Sequence, residues 1–128
     1  LPAPTVMAVL LLYSLGAHGI MTLNDFKAVA GDRAMGLRSL PVILGVRRAA
    51  LFACAVMALA QVAVIAVLAA SALSVSAGIV AVLLVVQLAL MARLVRQPAR
   101  LAPWYNGTGV LLYVLGMLAA ALGLGGYV

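Results

Sequence analysis

Two carboxylates, Asp25 and Asp32, are the only acidic side chains in this 128-residue sequence, and they stand beside Lys27, Arg33 and Arg38 in an otherwise apolar chain. An ionised carboxylate next to hydrocarbon is costly unless it meets water, a cation or a metal. The segment from Asn24 to Pro41 is therefore where chemistry is to be sought. On a continuous helix, a separation of seven positions places both carboxylates on one face, about 10 Å apart along the axis. That is too wide for one ion held directly by both. It suits a ligand of extended negative charge whose ends carry separate Mg²⁺ ions, because carboxylate and phosphate oxygens share this hard cation readily. Lys27, Arg33 and Arg38 add charge-assisted contacts to phosphate. Together these residue types describe a diphosphate site. They describe equally a solvated loop whose charges pair in water at little energetic gain, and spacing alone leaves both readings open.

Other chemistries fit less well. His18 has no second His and no Cys near it, so zinc-ligand spacing is absent and a helix-packing or pore-side role is expected. Cys54, the single cysteine, lies between alanines and reads as a small packing residue.

The elements that must position the polar segment follow from composition. The chain is 68% hydrophobic and 8% charged, whereas soluble domains carry about 25% charged residues. Apolar runs near residues 4–23, 50–70, 76–92 and 108–127 each approach the roughly 20 residues that cross a bilayer. The expected fold is all-α, a polytopic membrane bundle of four transmembrane helices forming one domain over 1–128. Open sheets would leave unsatisfied edges in lipid, and the runs lack the alternation of a membrane barrel strand. Between the first two runs the chain is expected to continue as helix as far as Asp32 and to turn around Gly36 and Pro41. Gln61 and Gln87 are the strongly polar members of runs two and three, which read as packing or lipid-facing scaffold.

Charge placement orients the bundle. Lys27, Arg33, Arg38, Arg47 and Arg48 fall between runs one and two, and Arg93, Arg96 and Arg100 between runs three and four. The turn around Ser71, Ser74 and Ser76 has no charge. The first and third connections must share a side, so the basic excess makes both cytoplasmic and sends both termini to the other face. The basic residues form no continuous stripe on a soluble helix, which argues against a nucleic acid partner. Pro98, Pro103, Trp104 and Tyr105 in the third connection read as an interfacial anchor.

The run Leu15-Gly16-Ala17-His18-Gly19-Ile20-Met21-Thr22-Leu23-Asn24-Asp25-Phe26-Lys27, with Gly31-Asp32-Arg33, Met35-Gly36, Arg38-Ser39-Leu40-Pro41-Val42 and Leu44-Gly45, resembles the second aspartate-rich region of UbiA-type membrane prenyltransferases. Within them it is most similar to the chlorophyll and bacteriochlorophyll synthase branch, through Asn-Asp-Phe-Lys, Gly-Asp-Arg and Ser-Leu-Pro. The other helices match only in hydropathy and order. The resemblance implies a bundle of about nine spans, of which these would be the last four, and a cavity shared by two aspartate-rich cytoplasmic segments. It implies that Asp25 and Asp32 are the catalytic, Mg²⁺-binding carboxylates, that Asn24 supports them, and that Lys27, Arg33 and, less directly, Arg38 meet the diphosphate. The implied reaction esterifies the propionate of a bacteriochlorophyllide with a geranylgeranyl or phytyl group from its diphosphate, in a bacterial inner or intracytoplasmic membrane. Relatives with quinone-precursor or haem acceptors, and a non-enzymatic membrane subunit or transporter piece, are the competing expectations. Ala28 and Ala30 stand where many relatives carry acidic residues, and the first aspartate-rich region is missing. The sequence thus reads as a piece of a longer chain, expected to be inactive alone.

Overall fold

Proline opens α1 (Pro4–Asn24), where its missing N–H is harmless because the first turn offers that group no partner. The chain then passes through a 3-10 turn (Asp25–Ala28), α2 (Val29–Ala34) and α3 (Leu40–Leu44) before three long helices, α4 (Val46–Ala70), α5 (Ser74–Arg96) and α6 (Pro98–Leu124). The computed structural model describes residues 3–127 and, at Lys27, the backbone only. Helices α1, α4, α5 and α6 hold 21, 25, 23 and 27 residues and are apolar enough to cross a membrane. At about 1.5 Å per residue each reaches across roughly 30 Å of hydrocarbon. The expected all-helical, four-span architecture is present.

The four spans run alternately up and down, with α1 packed mainly on α4, α4 on α5 and α5 on α6, while the α1–α6 seam is looser. Small residues make the tight contacts. A Cβ on Gly19 would lie 2.6 Å from the carbonyl oxygen of Ala53 and 2.8 Å from Cγ of Met57, so α1 and α4 approach at a distance only glycine permits. Ala49, Ala50, Ala53 and Met57 are fully buried along the same face of α4.

Polar ties replace the hydrophobic driving force that lipid removes. Gln61 and Gln87 exchange two hydrogen bonds, Gln61 Nε2 to Gln87 Oε1 at 3.0 Å and Gln87 Nε2 to Gln61 Oε1 at 2.8 Å, joining α4 to α5. Ser76 Oγ donates to the Ala119 carbonyl at 3.0 Å, joining α5 to α6. Tyr113 Oη donates to the Tyr13 carbonyl at 2.7 Å, and their rings meet edge to face at 5.2 Å, which closes α6 onto α1. The glutamines are thus interhelical fasteners within the packed scaffold.

Between α1 and α4 the chain is helical through Asp32 and turns at Gly36 as expected, with one correction. The polar segment is no continuous α-helix: it tightens to 3-10 over Asp25–Ala28, and Ala28 (φ −112°, ψ 8°) breaks the path before α2. The third connection is reduced to Gln97, because α6 begins at Pro98 and runs through Pro103, so the aromatic pair lies in the first turns of α6. Tyr105 is fully buried in the bundle. Trp104 is half-buried, with the Arg93 guanidinium 5.1 Å from its ring centroid.

Candidate functional site

α1 ends, α4 begins, α5 ends and α6 begins at one end of the bundle, and every acidic and basic residue lies on the segments gathered there. The net charge of +6 is therefore concentrated at that end.

The polar segment is shaped from the backbone outward. The Asp25 N–H still reaches the carbonyls of Met21 and Thr22, so the turn continues directly from α1. In a 3-10 helix residues three apart eclipse one another. Phe26, buried, and Val29, half-buried, accordingly share an inward face that pins the turn to the core. Asp25 is left half-buried at the rim, and Asp32 is half-buried on α2. Laid end to end, a 3-10 turn followed by α2 separates the two carboxylates by roughly 12 Å, slightly more than a continuous helix would.

α2 stops in a Schellman motif: Leu37 N donates to Asp32 O at 2.8 Å and Gly36 N to Arg33 O at 3.2 Å, with Gly36 at φ 73°. The chain then re-enters the bundle at α3, where Pro41 is buried, and Gly45 (φ 84°, ψ 156°) redirects it into α4. That backbone region is essentially reserved for glycine. Arg33, Arg38, Arg47 and Arg48 remain exposed around this path. The expected phosphate contact from Lys27 lies outside the described side chains.

Asn24 and Asp25 are adjacent at the end of α1, and Asp32, Arg33 and Arg38 follow on the short path beyond. Among the described residues no three His, Cys, Asp or Glu side chains group closely enough to hold a metal ion by themselves. The donor set nonetheless fits a divalent cation delivered with phosphate. Mg²⁺ needs only one or two carboxylates when phosphate oxygens and water complete its octahedron. His18, expected to pack or face a pore, has an exposed side chain on α1.

Sequence reasoning missed Asn106. It lies 82 positions from Asn24, yet its Nδ2 donates to Asn24 Oδ1 at 2.7 Å. The available signal was a lone amide close to Pro103, in a stretch taken for an interfacial connection.

A second feature approaches the same end. An apolar groove of about 550 Å³ opens along the α1–α6 seam between Val6 and Ile20 of α1 and Tyr113 and Gly125 of α6. The groove runs from the uncharged end of the bundle, at Val6 and Gly125, as far along α1 as Ile20, one turn before Asn24.

The sequence profile of the UbiA prenyltransferase family matches residues 2–107. The bacteriochlorophyll synthase 33 kDa chain of Cereibacter sphaeroides is 57% identical over 125 residues, 98% of this chain and 41% of that protein. The bacteriochlorophyll synthase 34 kDa chain of Chloroflexus aurantiacus is 49% identical over 92% of this chain and 38% of its own length. The chloroplastic chlorophyll synthase of Arabidopsis thaliana is 33% identical over 93% and 31% respectively. No solved structure matches the chain. The chain thus spans about two-fifths of the length of the bacterial relatives it matches. Four membrane helices with an Asn-Asp turn at their charged end, matched by the family profile over most of the sequence, place this chain in the UbiA prenyltransferase family.

Proposed function

We propose that this chain supplies the second half of a metal-diphosphate site in a membrane prenyltransferase that esterifies a bacteriochlorophyllide with a geranylgeranyl or phytyl group. The observation that supports this reading is that α1 carries two features in succession: an apolar groove shared with α6 that extends to Ile20, and, one turn further on, a carboxylate-bearing turn with basic neighbours. A prenyl diphosphate has the same two parts, a long hydrocarbon and a compact polyanion.

In this reading Asp25 and Asp32 hold Mg²⁺ on the diphosphate, and Asn24 steadies the first of them. Lys27, Arg33 and Arg38 meet phosphate oxygens directly. The metal, when bound, supplies positive charge that favours departure of the diphosphate and ionisation of the allylic C–O bond. The groove keeps the allylic carbon oriented and away from water, which would otherwise compete for it. The acceptor, a propionate carboxylate, is already nucleophilic and asks no strong base of the protein. The matched stretch is about two-fifths of a synthase chain, so the remaining walls of the site, including the first aspartate-rich segment, belong to residues outside this sequence. Prenyl transfer by these residues alone is not expected.

The test is substitution in the full-length protein. Asp25→Ala and Asp32→Ala should each reduce Mg²⁺-dependent turnover at least a hundredfold while thermal unfolding in detergent is unchanged. Unaltered turnover would return the segment to a solvated loop. Product analysis with a bacteriochlorophyllide and an aromatic acid offered side by side identifies the acceptor, and transfer to the aromatic acid alone would defeat the pigment assignment.

A further inference from the structure

Near the charged end, α6 carries a polar residue to which the diphosphate reading gives no role. Asn106 donates from Nδ2 to Asn24 Oδ1 at 2.7 Å. Its own Oδ1 is buried and has no hydrogen-bond partner. Native proteins leave few such atoms without a use. The two amides border a cavity of about 260 Å³ completed by Leu23, Ala99, Ala102 and Pro103. Pro103 lies inside α6 and lacks an N–H, so it cannot donate to the carbonyl of Ala99 four residues back. The Ala99 carbonyl thus lacks the usual donor four residues on, and Asn106 Oδ1 lacks any partner.

The unpartnered Asn106 Oδ1 calls for a ligand that brings a hydrogen to it. Water in the shell of a divalent cation has that character, since Mg²⁺ dehydrates reluctantly and keeps several waters. The cavity is well placed for it: Asn24 immediately precedes Asp25, and α6 packs against the 3-10 turn that holds this carboxylate.

We propose that Asn106 is a positioning residue of the diphosphate site. Its Nδ2 fixes the Asn24 amide beside Asp25, and its Oδ1 accepts a hydrogen bond from water carried by the divalent cation. The inference rests on the diphosphate reading above and adds to it a contribution from α6, remote in sequence from the aspartate-rich segment. The competing account is a tie between α1 and α6 that serves stability alone.

The test uses the full-length protein in detergent, with Asn106→Ala, the volume-preserving Asn106→Leu, Asn24→Ala and the double variant Asn24→Ala/Asn106→Ala. Calorimetric titration with Mg²⁺ and inorganic diphosphate gives a Kd that does not depend on turnover. Loss of the Asn106 amide should weaken that Kd, and raise KM for the prenyl diphosphate, by about tenfold, with kcat within about twofold and KM for the acceptor unchanged. The double variant should bind no more weakly than Asn24→Ala. An unchanged Kd in both Asn106 variants overturns the proposal. So does a loss additive with Asn24→Ala, or one that only follows a fallen unfolding temperature. If Asp25→Ala and Asp32→Ala bind Mg²⁺-diphosphate normally, the diphosphate reading itself fails. If they abolish binding while the Asn106 variants bind normally, only the role of Asn106 fails.

Discussion

An amide placed in a membrane interior is either a fastener or a fault, and Gln61 and Gln87 show how a single partner decides which. Each is fully buried and satisfies the other through two hydrogen bonds. Replacing one leaves the survivor with a desolvated amide, although Gln61 retains its 3.2 Å bond to the Met57 carbonyl. Gln87→Leu should therefore lower stability by about 1–3 kcal/mol, while Gln61→Leu/Gln87→Leu recovers part of that loss. Unfolding midpoints in detergent measure both, and additive losses would contradict the pairing. The sequence presents the two glutamines as isolated polar residues in separate apolar runs, and nothing in their spacing pairs them. Asp25 and Asp32 were findable because charge in a hydrophobic chain is conspicuous by itself. Asn106 was not, because its meaning depends on Asn24, which only the antiparallel packing of α1 and α6 brings within 2.7 Å.

The helices were readable from apolar run length, and their joints were not. Hydropathy finds about 20 apolar residues well, yet it does not register that Asp25–Ala28 tightens into a 3-10 turn to bury Phe26. It also stops counting at Arg93 and Arg96, although α5 continues through them and α6 starts two residues later. Backbone strain marks the joints instead. Gly45 adopts φ 84°, ψ 156°, and Ala72 adopts φ 61° at the end of α4. Gly45→Ala should destabilise the protein by about 1–3 kcal/mol, since a Cβ is poorly tolerated in that region. Ala72→Gly should stabilise it by up to about 1 kcal/mol, because Ala72 occupies the left-handed position of a Schellman motif closed by Leu73 N to Leu68 O at 2.9 Å. Opposite shifts in unfolding temperature are the expected pair of results. Equal signs would mean that the two joints are differently shaped.

Across the whole molecule, segregation of charge sets orientation. Lysine and arginine crowd one end, while the turn at Ser71 carries none, so the charged end should face the cytoplasm. Cys54, the single cysteine of this sequence, is buried, and labelling is read against the parent protein without the introduced cysteine. A membrane-impermeant maleimide should label Ser71→Cys in intact cells and Arg100→Cys only in inverted vesicles, both positions being exposed. The reverse pattern would invert the topology and move the carboxylate turn to the other face.

The apolar groove of about 550 Å³ between α1 and α6 has a further consequence for how such a site discriminates among ligands. Leu10, Val114 and Met117 border it and remain exposed on the flank of the bundle. Under the proposed function, an isoprenoid slipping in sideways would leave acyl chains only to meet side chains of the same greasiness, so the transfer would gain almost none of the free energy that water would have supplied. Grip must then come from the polar head, while the hydrocarbon is judged by fit alone. On the proposed function the bilayer would then act as a reservoir of competing tails, and the groove would work as a gauge of shape instead of an anchor.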